Sequence, residues 1–233
     1  MVKKTFITIS VALVIALLSI TLMISGGNVS ATTYSAYVMG YFTESPSGTA
    51  NNYALHLAYS MDCLNWIPLN QNNAVLTPTL GTKGLRDPFI LRKQDGTFEI
   101  LATDMTGTNM ASSSEYIHCW DSKDLRTFTN ERLLHVNTSG MHAWAPEAFW
   151  DTSKGQYAII WAGATDRNRT YVNYTTDFNK ITSQVVYFDP GVDSYDADVT
   201  SFNGVTTCTG PTAKYKGLNQ LAWLQVALTQ EVT

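Results

Sequence analysis

Three times along this chain an acidic residue with small or apolar neighbours is followed, eight or nine positions later, by a turn glycine: Asp87 leads to Gly96, Glu147 to Gly155 and Asp196 to Gly204. After the first two glycines comes an aromatic, β-prone stretch, residues 97–103 and 156–161, so each unit reads as a hairpin. A second kind of segment alternates with these, a strand that ends in a polar turn and a bulky residue. It runs from Leu55 through Asp62 to Trp66, from Tyr116 through Asp124 to Phe128, and from Tyr171 through Asp177 to Phe178. The acidic leads stand 60 and 49 residues apart, which is the length of a few antiparallel strands. Tandem units of that size are what propeller blades look like in sequence. A β-sandwich has the same strand density but gives no reason for an acidic residue to open each unit. In a propeller the innermost strands of successive blades converge on one axis, so equivalent positions meet at one end and carboxylates distant in sequence share one pocket.

The rest of the chain narrows the setting. Lys3 and Lys4 precede an uncharged run over residues 6–24, and a polar stretch then leads to Val29, Ser30 and Ala31, the small-residue pattern of a signal-peptidase site. Residues 1–31 are therefore expected to be a signal peptide and the protein to be secreted (extracellular), with no membrane association after cleavage. An uncleaved anchor is the alternative, because a run of 19 apolar or weakly polar residues is nearly enough to cross a bilayer. Removing 31 residues of 233 leaves 202, enough for one domain with a sizeable core. Without Lys3 and Lys4 the balance is 13 basic against 19 acidic residues, which offers no basic patch and so no nucleic-acid partner. Cys63, Cys119 and Cys208 are odd in number and far apart, defining neither a zinc site nor a disulfide framework.

Three motifs in order, Leu85-Arg86-Asp87-Pro88-Phe89, His142-Ala143-Trp144-Ala145-Pro146-Glu147 and Tyr195-Asp196-Ala197-Asp198, give the chain a resemblance to glycoside hydrolase family 43 over about residues 37–204. The resemblance implies a five-bladed β-propeller of the arabinanase, arabinofuranosidase and xylosidase type. It also implies an inverting mechanism, in which a base activates water on one face of the sugar and an acid protonates the leaving oxygen on the other. Asp87 then matches the base, and Asp196 matches the Asp that orients and tunes the acid. Asp198 competes with Asp196 because alternation puts both on one strand face; Asp196 matches the motif. Glu147, Trp144 and His142 are placed in or beside the pocket, with Glu147 lining or supporting it. Arg86 is a candidate for holding a neighbouring carboxylate charged, a structural role beside a Pro turn being the alternative. In the related fructosidase families, the Asp of the Arg-Asp-Pro motif is instead a stabiliser and a later Glu the acid. That register needs an earlier acidic nucleophile, and between residues 32 and 61 only Glu44 is available. A Ca²⁺ ion is known in the family's central channel, but no ligand cluster in this sequence predicts one, and no cofactor is expected.

The family pattern is expected to stop at Gly204. No Glu in a Gly-Pro-like context follows, and 218–228 has a faintly helical apolar spacing. The reading is an all-β, incomplete five-bladed propeller of about three and a half blades over residues 32–204, with an atypical C-terminal tail over 205–233, in a truncated or frame-disrupted chain. His56 and His118 occupy matching strand positions, which favours a structural role, and Asn137, Asn168 and Asn173 begin N-x-S/T patterns. The function expected is hydrolysis of an arabinose- or xylose-containing polysaccharide or oligosaccharide. The alternative is a non-catalytic carbohydrate-binding fragment.

Overall fold

The computed structural model describes residues 36–44, 51–109, 114–202, 205–209 and 226–229, with side chains described as far as Val199. The signal-peptide segment lies outside the described residues. Strands β1 (Ala36–Tyr41), β2 (His56–Ser60) and β3 (Ile67–Pro68) belong to a first sheet. A second contains β4 (Leu85–Arg92), β5 (Phe98–Asp104), β6 (Tyr116–Ser122) and β7 (Phe128–His135). A third contains β8 (Ala143–Asp151), β9 (Gln156–Ala164), β10 (Asn168–Thr175) and β11 (Val185–Phe188). Strands β12 (Asp198–Phe202) and β13 (Val205–Thr209) form a hairpin, and β14 (Val226–Thr229) pairs antiparallel with β1 to complete the first sheet. Among the described residues, three four-stranded sheets and one two-stranded sheet match the expected three and a half blades.

Two expectations about the tail are corrected. Val205, Thr206 and Thr207 continue the hairpin of β12 although no aromatic residue is present, because β-branched side chains suit a strand equally well. The apolar spacing that looked faintly helical ends in strand β14, with Ala227 and Leu228 paired to Val38 and Tyr37. Pairing with β1 overrides a weak local pattern.

Cores lie between successive sheets. Along β5, Phe98, Ile100 and Ala102 pack with Leu55, Leu57 and Ile90 toward the first sheet, while Leu101 packs with Ile159, Trp161 and Phe178 toward the third. Strand β9 repeats this, with Tyr157, Ile159 and Trp161 facing the second sheet and Ala158 and Ile160 facing Ala197. Both faces of a middle strand are covered, which is why β5 is buried throughout, polar Glu99, Thr103 and Asp104 included, and β9 from Tyr157 onward.

The turn after each third strand is built the same way three times. Ser60, Ser122 and Thr175 accept from the backbone N–H of Asp62, Asp124 and Asp177, and each Asp accepts from N–H groups two and three residues on. The residue after each Asp turns left-handed: Cys63 at φ 62°, Leu125 at 56° and Phe178 at 55°. Phe178 thus stands where Leu125 does, three residues before Phe128, with which the sequence reading paired it. His56 and His118, four residues before the turn Ser in each strand, are both buried, the first tilted against Tyr41 and the second stacked on Trp120.

Candidate active site

Two inner strands bend at a left-handed residue, β4 at Asp87 with φ 48° and β8 at Ala145 with 45°, and Asp196, two residues before β12, is left-handed at 46°. In β4 and β8 the bend is a bulge, where the register slips between Arg86 and Phe89 and between Trp144 and Glu147. Pro88 and Pro146 sit inside the bulges, where no N–H is needed for the ladder. A non-glycine side chain in this conformation is strained, so three of them at matching places mark a device that re-aims side chains. The register also corrects the sequence pairing of Asp87 with Glu147. Glu147 pairs with Ile160 as Phe89 pairs with Leu101, so the counterpart of Asp87 in the third sheet is Ala145. Counting from the turn glycine misled because the inner hairpin loops differ in length, with five residues after Arg92, four after Asp151 and two after Phe202.

Asp87 and Asp196 are 109 positions apart yet feel each other. Burial pushes the Asp196 carboxyl up, and the charge of Asp87 pushes it further. Burial also raises Asp87, against the Thr103 hydrogen bond and the Arg86 guanidinium, which pull it down. Both residues keep exposed surface, so the walls of a concavity desolvate them rather than a cover. Solvent then softens the size of the shifts and leaves their direction. The charge of Asp87 thus reaches Asp196, and their surroundings differ: Asp87 has in Thr103 and Arg86 partners that favour its ionised form, whereas burial and Asp87 both favour the protonated form of Asp196.

Around them the site is tied to several strands. The Thr103 hydroxyl donates to Asp87 Oδ2 at 2.9 Å and accepts from the Ala145 N–H at 2.8 Å. Arg86 pairs with Glu44 at 3.3 Å, lies over the Phe42 ring and donates to the Gly107 carbonyl. Arg86 is thus a fixed strut whose charge pulls the Asp87 pKa down against burial. The loop entering β4 is pinned from beneath. Asp104 accepts from the Thr82 N–H and hydroxyl and from Ser114, and Glu131 accepts from Thr79 and Leu80. Gly81, at φ 56°, admits no side chain, since a Cβ there would fall 2.5 Å from Asp104 Oδ1. His118 sits between the two carboxylates, 3.1 Å from Asp104 and 3.8 Å from Glu131.

Glu147 is only 9 % exposed, and its Oε2 accepts from the Val199 N–H at 3.3 Å. It braces β12 behind Asp196 and supports the pocket. Trp144 is part-exposed beside Ala145 and stacks on His142 with ring centroids 3.6 Å apart. His142 Nε2 lies 2.7 Å from Asn168 Oδ1, while the Asn168 amide nitrogen donates to the Tyr195 hydroxyl and its N–H to Asp193. The amide nitrogen faces acceptors, so His142 Nε2 carries a proton and donates. Burial lowers the His142 pKa, keeping the ring neutral near pH 7. Asn168, visible in sequence only as an N-x-T pattern, thus joins the ring pair to the segment that carries Asp196. Asn137 and Asn173, which begin the other two such patterns, are buried and hydrogen-bonded to the His142 carbonyl and to Trp161. Thr103 was missed, and its one sequence signal is register, as the residue paired with Arg86 beside Asp87. Among the described residues, no group of three or more His, Cys, Asp or Glu is placed to hold a metal ion.

Comparison with known proteins shows the family and the fold. A family model described as "Probable glycosyl hydrolase domain", of the glycosyl hydrolase 43-related type, matches residues 32–217. An α-L-arabinofuranosidase of Bifidobacterium longum subsp. longum is 28 % identical over 167 residues, covering 58 % of this chain and 16 % of its own length. An endo-arabinase from Bacteroides thetaiotaomicron superposes with a TM-score of 0.58 at 16 % identity, covering 87 % of this chain and 73 % of its own. An exo-β-1,3-galactanase from Phanerochaete chrysosporium gives 0.57 at 14 % identity, over 78 % of this chain and 42 % of its own. The chain thus spans about a sixth of the curated relative it matches.

Proposed function

Since this chain belongs to the glycosyl hydrolase family 43-related proteins, we propose that it is an exported glycosidase that cleaves arabinose- or xylose-containing polysaccharide with inversion. The observation that carries the reading is that Asp87 in β4 and Asp196 just before β12 both stand in the left-handed conformation and influence each other's charge. Asp87, whose ionised form Thr103 and Arg86 favour against the pull of burial, is the base that takes a proton from water. Asp196, whose burial and whose neighbour Asp87 both favour the protonated form, sets the charge of the pocket beside it. The test is incubation with arabinan, xylan and β-1,3-galactan, reading the anomer of the first product by proton NMR. Inversion of the cleaved linkage is expected; retention overturns the mechanism.

The burial of Glu147 against Val199 favours a second reading, sugar binding without hydrolysis, because it withdraws that carboxyl from service as a proton donor. Retardation in a polysaccharide affinity gel with no sugar release supports it. Under either reading Trp144 is the stacking platform, its plane fixed by His142 and Asn168. Trp144→Ala is expected to weaken polysaccharide binding about tenfold, the scale of one lost aromatic contact. Isothermal titration checks this, and unchanged affinity removes Trp144 from the sugar site. Export implies loss of residues 1–31, so mass spectrometry of secreted protein should find an N-terminus near Thr32. A membrane-bound chain beginning at Met1 refutes it.

A further inference from the structure

Side chains at 99, 101 and 103 share the face of β5 that looks toward the third sheet. The middle position is core, and Thr103, 1 % exposed, closes the end beside the bends. A backbone N–H can only donate, so the bond from Ala145 consumes a lone pair of the Thr103 oxygen. The hydroxyl hydrogen is left for Asp87 Oδ2, and the sequence of donors is directional: Ala145 N–H to Thr103 hydroxyl to Asp87 carboxylate. The bend at Ala145, which carries no carboxyl, thus contributes a peptide N–H aimed at the carboxylate of the neighbouring sheet.

We propose that Thr103 is a positioning residue for Asp87, relaying the Ala145 N–H from the third sheet to hold the Asp87 carboxylate in one orientation and in its ionised form. This rests on the reading of Asp87 as base. The hydroxyl fixes Oδ2 and leaves Oδ1 for the proton taken from water. Chained hydrogen bonds polarise one another, so the peptide dipole at Ala145 strengthens the hold on Asp87. The charged groups facing Asp87 are Arg86 on its own strand, itself held by Glu44, and Asp196 across the site. Arg86 pulls with Thr103 and Asp196 against it.

The experiment is carboxyl ¹³C NMR titration of Asp87 in the full chain and in Thr103→Val and Thr103→Ser, beside the pH profile of kcat/KM. Thr103→Val keeps the shape and deletes the donor, so the Asp87 midpoint and the acidic limb of the profile should both move up, by about one unit or more for a bond to a charged group. Thr103→Ser keeps the donor and should leave both near their original place. If Thr103→Val does not fold, Thr103→Cys, with a weak donor of similar size, should show a smaller upward shift. A Val or Cys midpoint that does not move, or a Ser midpoint that moves as far as Val, overturns the proposal. The base reading fails separately: Asp87→Asn retaining full turnover sinks it whatever Thr103 does. Loss of turnover in Asp87→Asn with an unmoved midpoint in Thr103→Val sinks only the relay.

Discussion

Asp87→Asn is expected to lower glycosidic turnover about 10²–10⁴-fold, the usual contribution of a positioned proton acceptor, with thermal stability at pH 7 unchanged or higher. The amide keeps the shape of the carboxylate and its oxygen still accepts from Thr103, but it cannot take a proton from water. Its backbone is not a problem, because Asn adopts the left-handed conformation found here at φ 48° as readily as Asp does. The stability expectation follows from the pKa direction. Burial raises Asp87 in the folded state above its ordinary value, so the fold prefers the protonated carboxyl. That preference stabilises fully below the ordinary carboxylate pKa and is lost as pH rises through the folded one. Above that window the buried charge is a cost that the amide removes, as at other functional sites that sacrifice stability. Asp196 should respond too, its midpoint moving down once the Asp87 charge is gone. Steady-state kinetics, thermal melts between pH 5 and 8 and ¹³C titration of Asp196 check these points. A variant that melts much earlier and loses activity in proportion makes Asp87 a structural residue instead.

The features legible in sequence were those that repeat. Asp62, Asp124 and Asp177 close the same turn three times, and Asp87 and Asp196 stand on the same bend, so periodicity alone placed them. Glu147 shows where periodicity misleads. It is acidic and has a turn glycine at nearly the right distance, but a bulge and a shorter hairpin loop shift it two positions past the bend. No propensity marks a bulge of that kind; the Pro that Asp87 and Ala145 share as their next residue was the better ruler. Thr103 and Asn168 were invisible for a different reason. Their roles arise from partners in neighbouring sheets or connections, Ala145 for one and Tyr195 for the other, and a strand pattern carries no information about what packs across it. Arg132 and Glu99 belong with them. One is an ordinary-looking basic residue in an exposed strand, and the other an acid that spacing alone would call a core position.

That last pair yields the second large effect. Glu99 is fully buried on the same face of β5 as Thr103, at the opposite end of the strand. Arg132, from outer strand β7, donates to it at 2.5 Å, to Asp121 at 3.2 Å and to the Phe178 carbonyl of the third sheet at 2.7 Å. Lys93 lies 3.2 Å from the other Glu99 oxygen, and the Cys119 thiol donates to the first. Burial still wins over these partners and pushes Glu99 up to about 7. The stability it contributes is therefore full below about 4.5, the ordinary value, and lost as pH rises to about 7. Arg132→Met should cost about 3–5 kcal/mol at pH 8, because it strands a buried charge and unties two sheets at once. Against a total of about 5–15 kcal/mol, that brings the protein close to unfolding. The cost should shrink as pH falls through 7 and below, where a protonated Glu99 no longer needs the cation. Adding Glu99→Gln to Arg132→Met should recover much of the loss at pH 8, since the buried charge that Lys93 alone would have to balance is then absent. Urea unfolding at pH 5 and pH 8 on the two single variants and the double closes the cycle. A loss at pH 8 below about 1 kcal/mol, the size of an exposed ion pair, that is the same at pH 5 would mean that water rather than Arg132 solvates Glu99, and the link to Phe178 would then not be what joins the two sheets at this end.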